Sequence, residues 1–182
     1  MESHCKKAAG QYLSILMCVA MPVCGYAHDS TETAGDILVV ALPAAAYGAT
    51  FYLDDREGRM QFYKSFAAVL LVTQGLKVTI KEERPDGSDN QSFPSGHAST
   101  AFQSASFVRK RYGWQYGVPA YVVASYIGYS RIDAEKHYLG DVVAGAAIGI
   151  VGAELLTTPM GTVTVTPVIT QHEIRITVAT SF

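Results

Sequence analysis

The sequence predicts an all-α protein, a helical bundle of five to six helices with a short β-like C-terminal tail. Five apolar stretches of helical length follow the first 27 residues, and short polar segments separate them. Charged residues make up 16% of the 182 residues and hydrophobic residues 49%, whereas an average globular protein has roughly 25% charged residues. Only residues 161–182 change to the alternating pattern of strands. These observations predict one helical domain at residues 28–160.

Residues 1–27 have the features of a signal peptide or of a first membrane helix. Lys6 and Lys7 precede the apolar stretch YLSILMCVAMPVCGYA, which ends with Gly25 and Ala27 in the arrangement of a cleavage site. Both interpretations direct the chain to the bacterial cell envelope. All three cysteines lie in this segment, so its removal would leave a chain without disulfides or cysteine-based metal sites.

The five helices of the bundle are predicted from the apolar stretches in chain order. They cover about residues 35–53, 60–79, 97–108, 115–130 and 136–156. The charged segment DDREGR ends the first helix, and RKRYG follows the third. The fifth contains the run VVAGAAIGIVGA, whose small residues allow close helix–helix approach.

Membrane association is predicted, with a soluble exported periplasmic protein as the alternative. The first and fourth helices come nearest to the roughly 20 apolar residues of a membrane span, whereas the third is short and rich in serine. If the chain threads back and forth, six basic residues fall on one side, as the positive-inside rule requires: Arg56, Arg59, Lys64, Arg109, Lys110 and Arg111. The predicted location is the inner membrane, and the end of the bundle opposite these basic residues, which carries the predicted functional site, faces the periplasm.

The C-terminal tail predicts a β-hairpin. Ile174, Ile176 and Val178 alternate with polar residues, and Pro167 is expected to mark the break between the two strands. A hairpin leaves its edges unpaired and is therefore difficult to place in bilayer hydrocarbon. The tail consequently favours the soluble alternative slightly.

Three polar motifs interrupt the helical pattern: KVTIKEERP, PSGH and SRIDAEKHYLGD. They lie at the end of the second helix, the start of the third, and the connection between the fourth and fifth. In an up-and-down bundle these positions fall at the same end. The motifs therefore predict a single site from eight residues at helix ends: Lys77, Arg84, Ser95, Gly96, His97, Arg131, His137 and Asp141.

The basic residues of these motifs predict an anion site. Lys77, Arg84 and Arg131 are predicted to have no matching acid in their own motifs, so together they would repel one another unless a multiply charged anion joined them. Guanidinium groups suit phosphoryl oxygens because of their bidentate geometry. At the start of the third helix, Ser95 and the Gly96 amide can donate to the same anion.

The two histidines predict the chemistry at that anion. His137 and Asp141 are four residues apart, which would place them on one face of the fifth helix. A carboxylate there can hold a ring N–H and leave the other ring nitrogen free as a nucleophile. His97 is then available to protonate a leaving alkoxide. Each motif alone also fits an ordinary loop, so the prediction depends on their combination.

This combination resembles the type 2 phosphatidic acid phosphatase superfamily over about residues 35–156. That superfamily includes bacterial lipid phosphatases, non-specific acid phosphatases and vanadium-dependent haloperoxidases. The resemblance implies that His137 forms a phosphohistidine, that Asp141 orients it, and that His97 is general acid and then general base. It also implies that no metal or other cofactor is needed. The phosphoryl oxygens would be held by the remaining five residues: Lys77, Arg84, Ser95, Gly96 and Arg131.

The predicted function is hydrolysis of phosphate monoesters or pyrophosphates of a membrane lipid, such as phosphatidate, phosphatidylglycerophosphate, an isoprenyl pyrophosphate or lipid A. Three alternatives are a soluble periplasmic non-specific acid phosphatase, a vanadium haloperoxidase with His137 as the vanadate ligand, and a non-catalytic protein that binds lipid phosphates. The net charge of −2 predicts no nucleic-acid partner. Asp86 and Asp89 are interpreted as solvated loop charges, and the oligomeric state is left open.

Overall fold

The computed structural model describes residues 28–161, 163–169 and 174–180. The predicted signal peptide or first membrane helix, residues 1–27, lies outside the described residues. Within them, five helices and a two-stranded sheet confirm the predicted bundle with its β-like tail. The elements in chain order are α1 (His28–Tyr52), α2 (Arg56–Thr79), α3 (Gly96–Tyr112), α4 (Trp114–Asp133), α5 (Leu139–Leu156), β1 (Val163–Ile169) and β2 (Ile174–Thr180).

Helix α3 lies at the centre of the bundle and contacts all four other helices, most extensively α5 and α4. Small residues allow this close packing, and Ala98, Ala101 and Ala105 are fully buried. Hydroxyl and amide side chains on α3 bond to α2, where Thr73 donates to Ser99 at 3.1 Å. A short, polar helix is thus enclosed by protein, and its buried serine and glutamine side chains have hydrogen-bond partners.

Glycines bring the backbone of α5 directly against α3. A Cβ atom added to Gly145 or Gly149 would lie closer than 3.0 Å to the carbonyl oxygen of Ser95 or Ser99, respectively. The two glycines are four residues apart and so occupy one face of α5. The small-residue run recognised in the sequence therefore seats α5 against the first turn of α3, where the PSGH motif lies.

Gly149→Ala is expected to destabilise the bundle by about 1–3 kcal/mol or more, the usual cost of overpacking. The added methyl group would meet the Ser99 carbonyl oxygen and lie 2.7 Å from the Gln103 amide nitrogen, and neither backbone atom can rotate away. Thermal unfolding of the purified protein measures the effect. Gly140→Ala is the matched control because nothing lies within 4 Å of its added Cβ. Equal unfolding temperatures for the two variants would contradict this packing.

A buried ion pair closes the opposite end of the bundle. Arg111 donates to both carboxylate oxygens of Asp55, at 2.8 and 2.6 Å, and the Tyr112 hydroxyl donates to the same carboxylate at 3.1 Å. Arg111 also donates to the carbonyl of Thr158 at 3.0 Å, which ties the segment after α5 to this end. Arg59 approaches Asp54 nearby at 3.8 Å, so two of the six basic residues predicted to share one side, Arg59 and Arg111, lie at this end.

Among the described residues, two helices have the length and composition to cross a membrane, Ser30–Tyr52 within α1 and Leu139–Leu156, which is α5. The prediction for the first helix is thus confirmed, but the second candidate is α5 rather than α4. Four tyrosines lower the hydropathy of α4, whereas α5 consists mostly of valine, isoleucine, alanine and glycine.

Two local predictions are wrong. Helix α5 begins at Leu139 with Tyr138 as its N-cap, so His137 precedes the helix instead of lying in its first turn. Pro167 lies within β1, opposite Ile176 of β2, and not between the strands. Both strands of a two-stranded sheet are edge strands, where the missing N–H of proline is tolerated.

Candidate active site

Backbone hydrogen bonds join the three sequence motifs at one end of the bundle. The Ser95 amide donates to the Asp141 carbonyl at 3.0 Å, which links PSGH to the first turn of α5. The Asp86 amide donates to the Glu135 carbonyl at 3.1 Å, which links the segment after α2 to the α4–α5 connection. The predicted meeting of the motifs at one end is therefore confirmed.

The α4–α5 connection holds His137 at the inner edge of this site. Its backbone N–H donates to the Arg131 carbonyl at 3.2 Å, after a turn in which Glu135 has a φ of 53°. The His137 side chain is buried, with 4% of its surface exposed. Arg131 itself lies in the last turn of α4, so one short segment positions a cation and a histidine together.

The expected hydrogen bond between His137 and Asp141 is absent. His137 Nδ1 lies 3.7 Å from Asp141 Oδ2 and is a buried nitrogen without a hydrogen-bond partner. Asp141 is the third residue of α5, and its Oδ2 accepts from the Tyr138 amide at 2.9 Å and from the Ser92 hydroxyl. The carboxylate caps its own helix and still faces the histidine.

The electrostatic environment keeps His137 neutral. Burial, followed by the charges of Lys77 and Arg84, lowers its pKa to about 4, while Asp141 opposes the shift. An imidazole with this pKa is unprotonated at neutral pH, and its lone pair is available for attack on an electrophile.

Lys77 and the first turn of α3 line the site next to His137. The buried Lys77 ammonium donates to the Gln91 carbonyl at 2.5 Å, and burial together with Arg84 lowers its pKa. A Cβ on Gly96 would lie 3.9 Å from Lys77 Cε, so the first turn of α3 faces this side chain. Ser95, fully buried, caps the turn by accepting from the Ala98 amide at 3.4 Å. The first amides of a helix have no partner within it and suit an anion.

Both arginines of the site are paired with acids, in contrast to the expectation of unmatched cations. Arg84 donates through Nε to Asp89 at 2.7 Å, and Arg131 donates through Nη1 to Asp36 at 2.7 Å. Asp86 and Asp89 are exposed, as expected of solvated loop charges, but each also has a cationic partner, since Asp86 accepts from Lys136 at 2.8 Å and Asp89 from Arg84. A guanidinium has five N–H donors; Arg84 uses one of them on Asp89, and Arg131 uses three, on Ser130, Asp36 and the Glu32 carbonyl, so both retain donors for a further anion.

His97 lies near Asp36 and Arg131. Its Nε2 lies 2.9 Å from Asp36, and a third of its side chain is exposed. Burial, followed by the charge of Arg131, lowers the pKa of His97, whereas Asp36 raises it. The charge of Arg84 lowers the pKa of both histidines, so this arginine acts on His97 and His137 alike.

The arrangement contains two histidine–cation groups that can act on a phosphoryl group. Lys77 and the neutral His137 form one group, and His97 with Arg131 forms the other. Sequence reasoning missed Asp36, Ser92 and the role of Asp89 as a partner. Only Asp36 had a sequence signal, because a carboxylate next to a long apolar stretch is expected to have a specific partner.

Residues 59–163 match the family model of the PAP2 superfamily. The chain belongs to this superfamily. The resemblance seen in the three motifs is thereby confirmed, and the superfamily match contains all eight candidate site residues.

Two relatives of this chain are lipid A phosphatases. The lipid A 4′-phosphatase of Helicobacter pylori is 30% identical, with 79% of each chain covered. The lipid A 1-phosphatase of Porphyromonas gingivalis is 47% identical over 40% of this chain, but the matched stretch spans only 17% of that protein. This PAP2 chain is therefore homologous to phosphatases of membrane lipids.

Solved structures have the same fold. The crystal structure of Aquifex aeolicus LpxE has a TM-score of 0.54 and 22% identity, covering 66% of this chain and 83% of that one. The transmembrane PAP2-type phosphatidylglycerolphosphate phosphatase of Bacillus subtilis has the same TM-score and identity, covering 82% and 84%. At this identity the likeness establishes the helical PAP2 fold.

Proposed function

We propose that this PAP2 protein hydrolyses the phosphate monoester or pyrophosphate of a membrane lipid through a phosphohistidine. The observation that carries the proposal is the buried, neutral His137, which is subject to the charges of Lys77 and Arg84, while His97 is subject to those of Arg131 and Arg84. The names of the two curated relatives make phosphorylated lipid A the first substrate to test.

In the first step, His137 attacks phosphorus and the bond from phosphorus to the leaving oxygen breaks. Nδ1 faces Asp141, so Nε2 is the attacking nitrogen, and the carboxylate stabilises the positive charge that the ring acquires. Protonated His97 transfers its proton to the leaving oxygen, which departs as an alcohol. The cationic side chains stabilise the equatorial phosphoryl oxygens, where negative charge is concentrated.

In the second step, water attacks phosphorus and the phosphorus–nitrogen bond breaks. His97 is now neutral and accepts a proton from the water, so it regains the protonation state in which it began. Inorganic phosphate leaves, and His137 returns to its neutral form. The cycle consumes one water molecule and needs neither an oxidant nor a reductant.

We propose a membrane location, with the site at the periplasmic side. The outer helices expose large apolar side chains, among them Val40 on α1, Leu71 on α2, Val122 on α4 and Leu155 on α5. Exposed apolar surface on several faces is typical of contact with lipid. Arg59 and Arg111 lie at the end opposite the site, and the positive-inside rule assigns that end to the cytoplasm.

The experiment that tests this function measures phosphate release by the purified protein from lipid A phosphates, phosphatidate, phosphatidylglycerophosphate, isoprenyl pyrophosphates and soluble esters. We expect release from at least one lipid, inhibition by vanadate and full activity in EDTA. Release from soluble esters alone would favour the non-specific acid phosphatase. No release from any substrate would favour a binding protein, and halide oxidation with added vanadate would favour a haloperoxidase.

The pH profile of kcat/KM is expected to be bell-shaped with its maximum on the acid side of neutrality. His137 acts as the neutral base form, so the rate falls as pH drops through its pKa of about 4. His97 acts as the protonated form, and its pKa is lowered from 6.5, so the rate falls as pH rises through that lower value. Steady-state kinetics across this range measures both limbs. A maximum above pH 7 would contradict the assignment.

A further inference from the structure

One carboxylate oxygen connects the general acid to a phosphate-binding arginine. Oδ1 of Asp36 lies 2.9 Å from His97 Nε2 and accepts from Arg131 Nη1 at 2.7 Å. These partners are 61 and 95 residues away along the chain and belong to α3 and α4. Asp36 is therefore the point at which α1 enters the site.

The first turns of α1 are closely fitted to Arg131. The Glu32 carbonyl accepts from Arg131 Nη2 at 2.8 Å, one turn before Asp36. A Cβ on Gly35 would lie 2.7 Å from Arg131 Nη2 and closer still to the Ser130 hydroxyl. Only glycine permits this approach without a shift, so α1 meets the guanidinium through both its backbone and the Asp36 side chain.

Asp36 lies outside the part of the chain that defines the superfamily, because the family match begins at residue 59. It also lies within the stretch Ser30–Tyr52, which could cross a membrane. An ionisable residue in such a stretch is costly without a partner and is often functional where it has one. Here the partners are two residues of the proposed reaction.

We propose that Asp36 is a positioning residue that orients His97 and Arg131 together for the reaction. The inference rests on the proposed phosphatase function. In protonated His97, the Nε2–H donates to Asp36 and the Nδ1–H faces the leaving oxygen. When the bond from phosphorus to that oxygen breaks, the Nδ1 proton passes to the oxygen, and His97 remains as the Nε2–H tautomer on Asp36.

Asp36 also sets the charge balance at His97. Among the described residues, the charged groups that act on this ring are Arg131 on α4, Arg84 after α2 and Asp36 on α1, of which Asp36 alone is negative. Its charge raises the pKa of His97 against burial and the two arginines. Removal of that charge lowers the pKa, so the acid form of His97 is lost at a lower pH.

Asp36→Asn tests this role because it keeps the shape of the side chain and removes its charge. We expect kcat on the lipid phosphate to fall about tenfold or more, towards the 10²–10⁴-fold contribution of a general acid. We also expect the basic limb of the pH profile to move to lower pH. Asp54→Asn is the matched control, since Asp54 approaches Arg59 at 3.8 Å at the opposite end. Wild-type kcat and an unmoved limb in Asp36→Asn would overturn the proposal.

A histidine NMR titration keeps this test separate from the proposed function. The pKa of His97, assigned with His97→Asn, should fall in Asp36→Asn whether or not any substrate is hydrolysed. Inactive wild-type protein would refute the phosphatase alone, whereas an unchanged His97 titration would refute the Asp36 link. If Asp36→Asn does not fold, Asp36→Glu is used instead. Because the charge is retained, the basic limb of its pH profile should stay near the wild-type pH, while kcat falls because the carboxylate is displaced. A wild-type kcat in Asp36→Glu would count against the positioning role.

Discussion

His137→Ala is expected to abolish phosphate release and to leave no phosphorylated enzyme. The variant lacks the nitrogen that attacks phosphorus, while Lys77, Arg84 and Arg131 remain to bind the substrate. The loss of kcat should reach at least about 10⁴-fold, the scale observed when a nucleophile is removed. KM should change little, because the phosphate-binding groups are retained. Phosphate release and a rapid quench with radiolabelled substrate measure the two effects.

The quench must avoid acid, because a phosphorus–nitrogen bond to histidine is acid-labile. Gly140→Ala serves as the control: it lies three residues further along, and its added Cβ has nothing within 4 Å. It should keep both turnover and the phosphorylated intermediate. A labelled intermediate in His137→Ala would show that another side chain is the nucleophile. Retained turnover without a labelled intermediate would rule out the covalent mechanism.

The sequence predicted the site because its main features are local. Ser95 is a good N-cap and begins α3 next to His97, and the glycine run of α5 packs against that same turn. The helix count alone then brings the motifs to one end of the bundle. Each of these inferences depends on residues close together in the chain or on simple up-and-down topology.

The partners of the cationic residues could not be predicted in this way. Asp36 reaches Arg131 from 95 residues away, and its choice of partner depends on how α1 is rotated and how closely Gly35 lets it approach. Spacing rules do not determine such rotations. The Arg84–Asp89 pair is local, but it depends on the conformation of an irregular segment that has no periodic pattern.

The relation between His137 and Asp141 was predicted from helical spacing and proved different. The turn through Glu135 ends α4 with a positive φ, and α5 starts only at Leu139. Asp141 therefore occupies the third helical position, where a carboxylate accepts from the N-cap amide. The two side chains are neighbours because of this turn and not because they share a helical face.

His97→Asn is expected to impair the enzyme in a way that depends on the leaving group. A lipid alkoxide is a poor leaving group and needs the proton of His97, so kcat should fall about 10²–10⁴-fold. An aryl phosphate with an acidic phenol needs no proton on departure, so its first step should be much less affected. Steady-state kinetics of one variant preparation on both substrates gives kcat for the lipid phosphate and for the aryl phosphate. The ratio of the two kcat values does not depend on how much of the preparation is folded or on its concentration.

The second step adds an independent signature, because His97 is also the base that activates water. With the aryl phosphate, His97→Asn should form the phosphohistidine readily and hydrolyse it slowly, giving a burst of phenol and an accumulated intermediate. In wild-type protein the intermediate should be far less abundant. Equal losses on the two substrates, with no burst, would mean that His97 only shapes the site. The phosphohistidine that accumulates in His97→Asn should be absent from the His97→Asn/His137→Ala double variant. That result would assign the acid–base role to His97 and the nucleophilic role to His137.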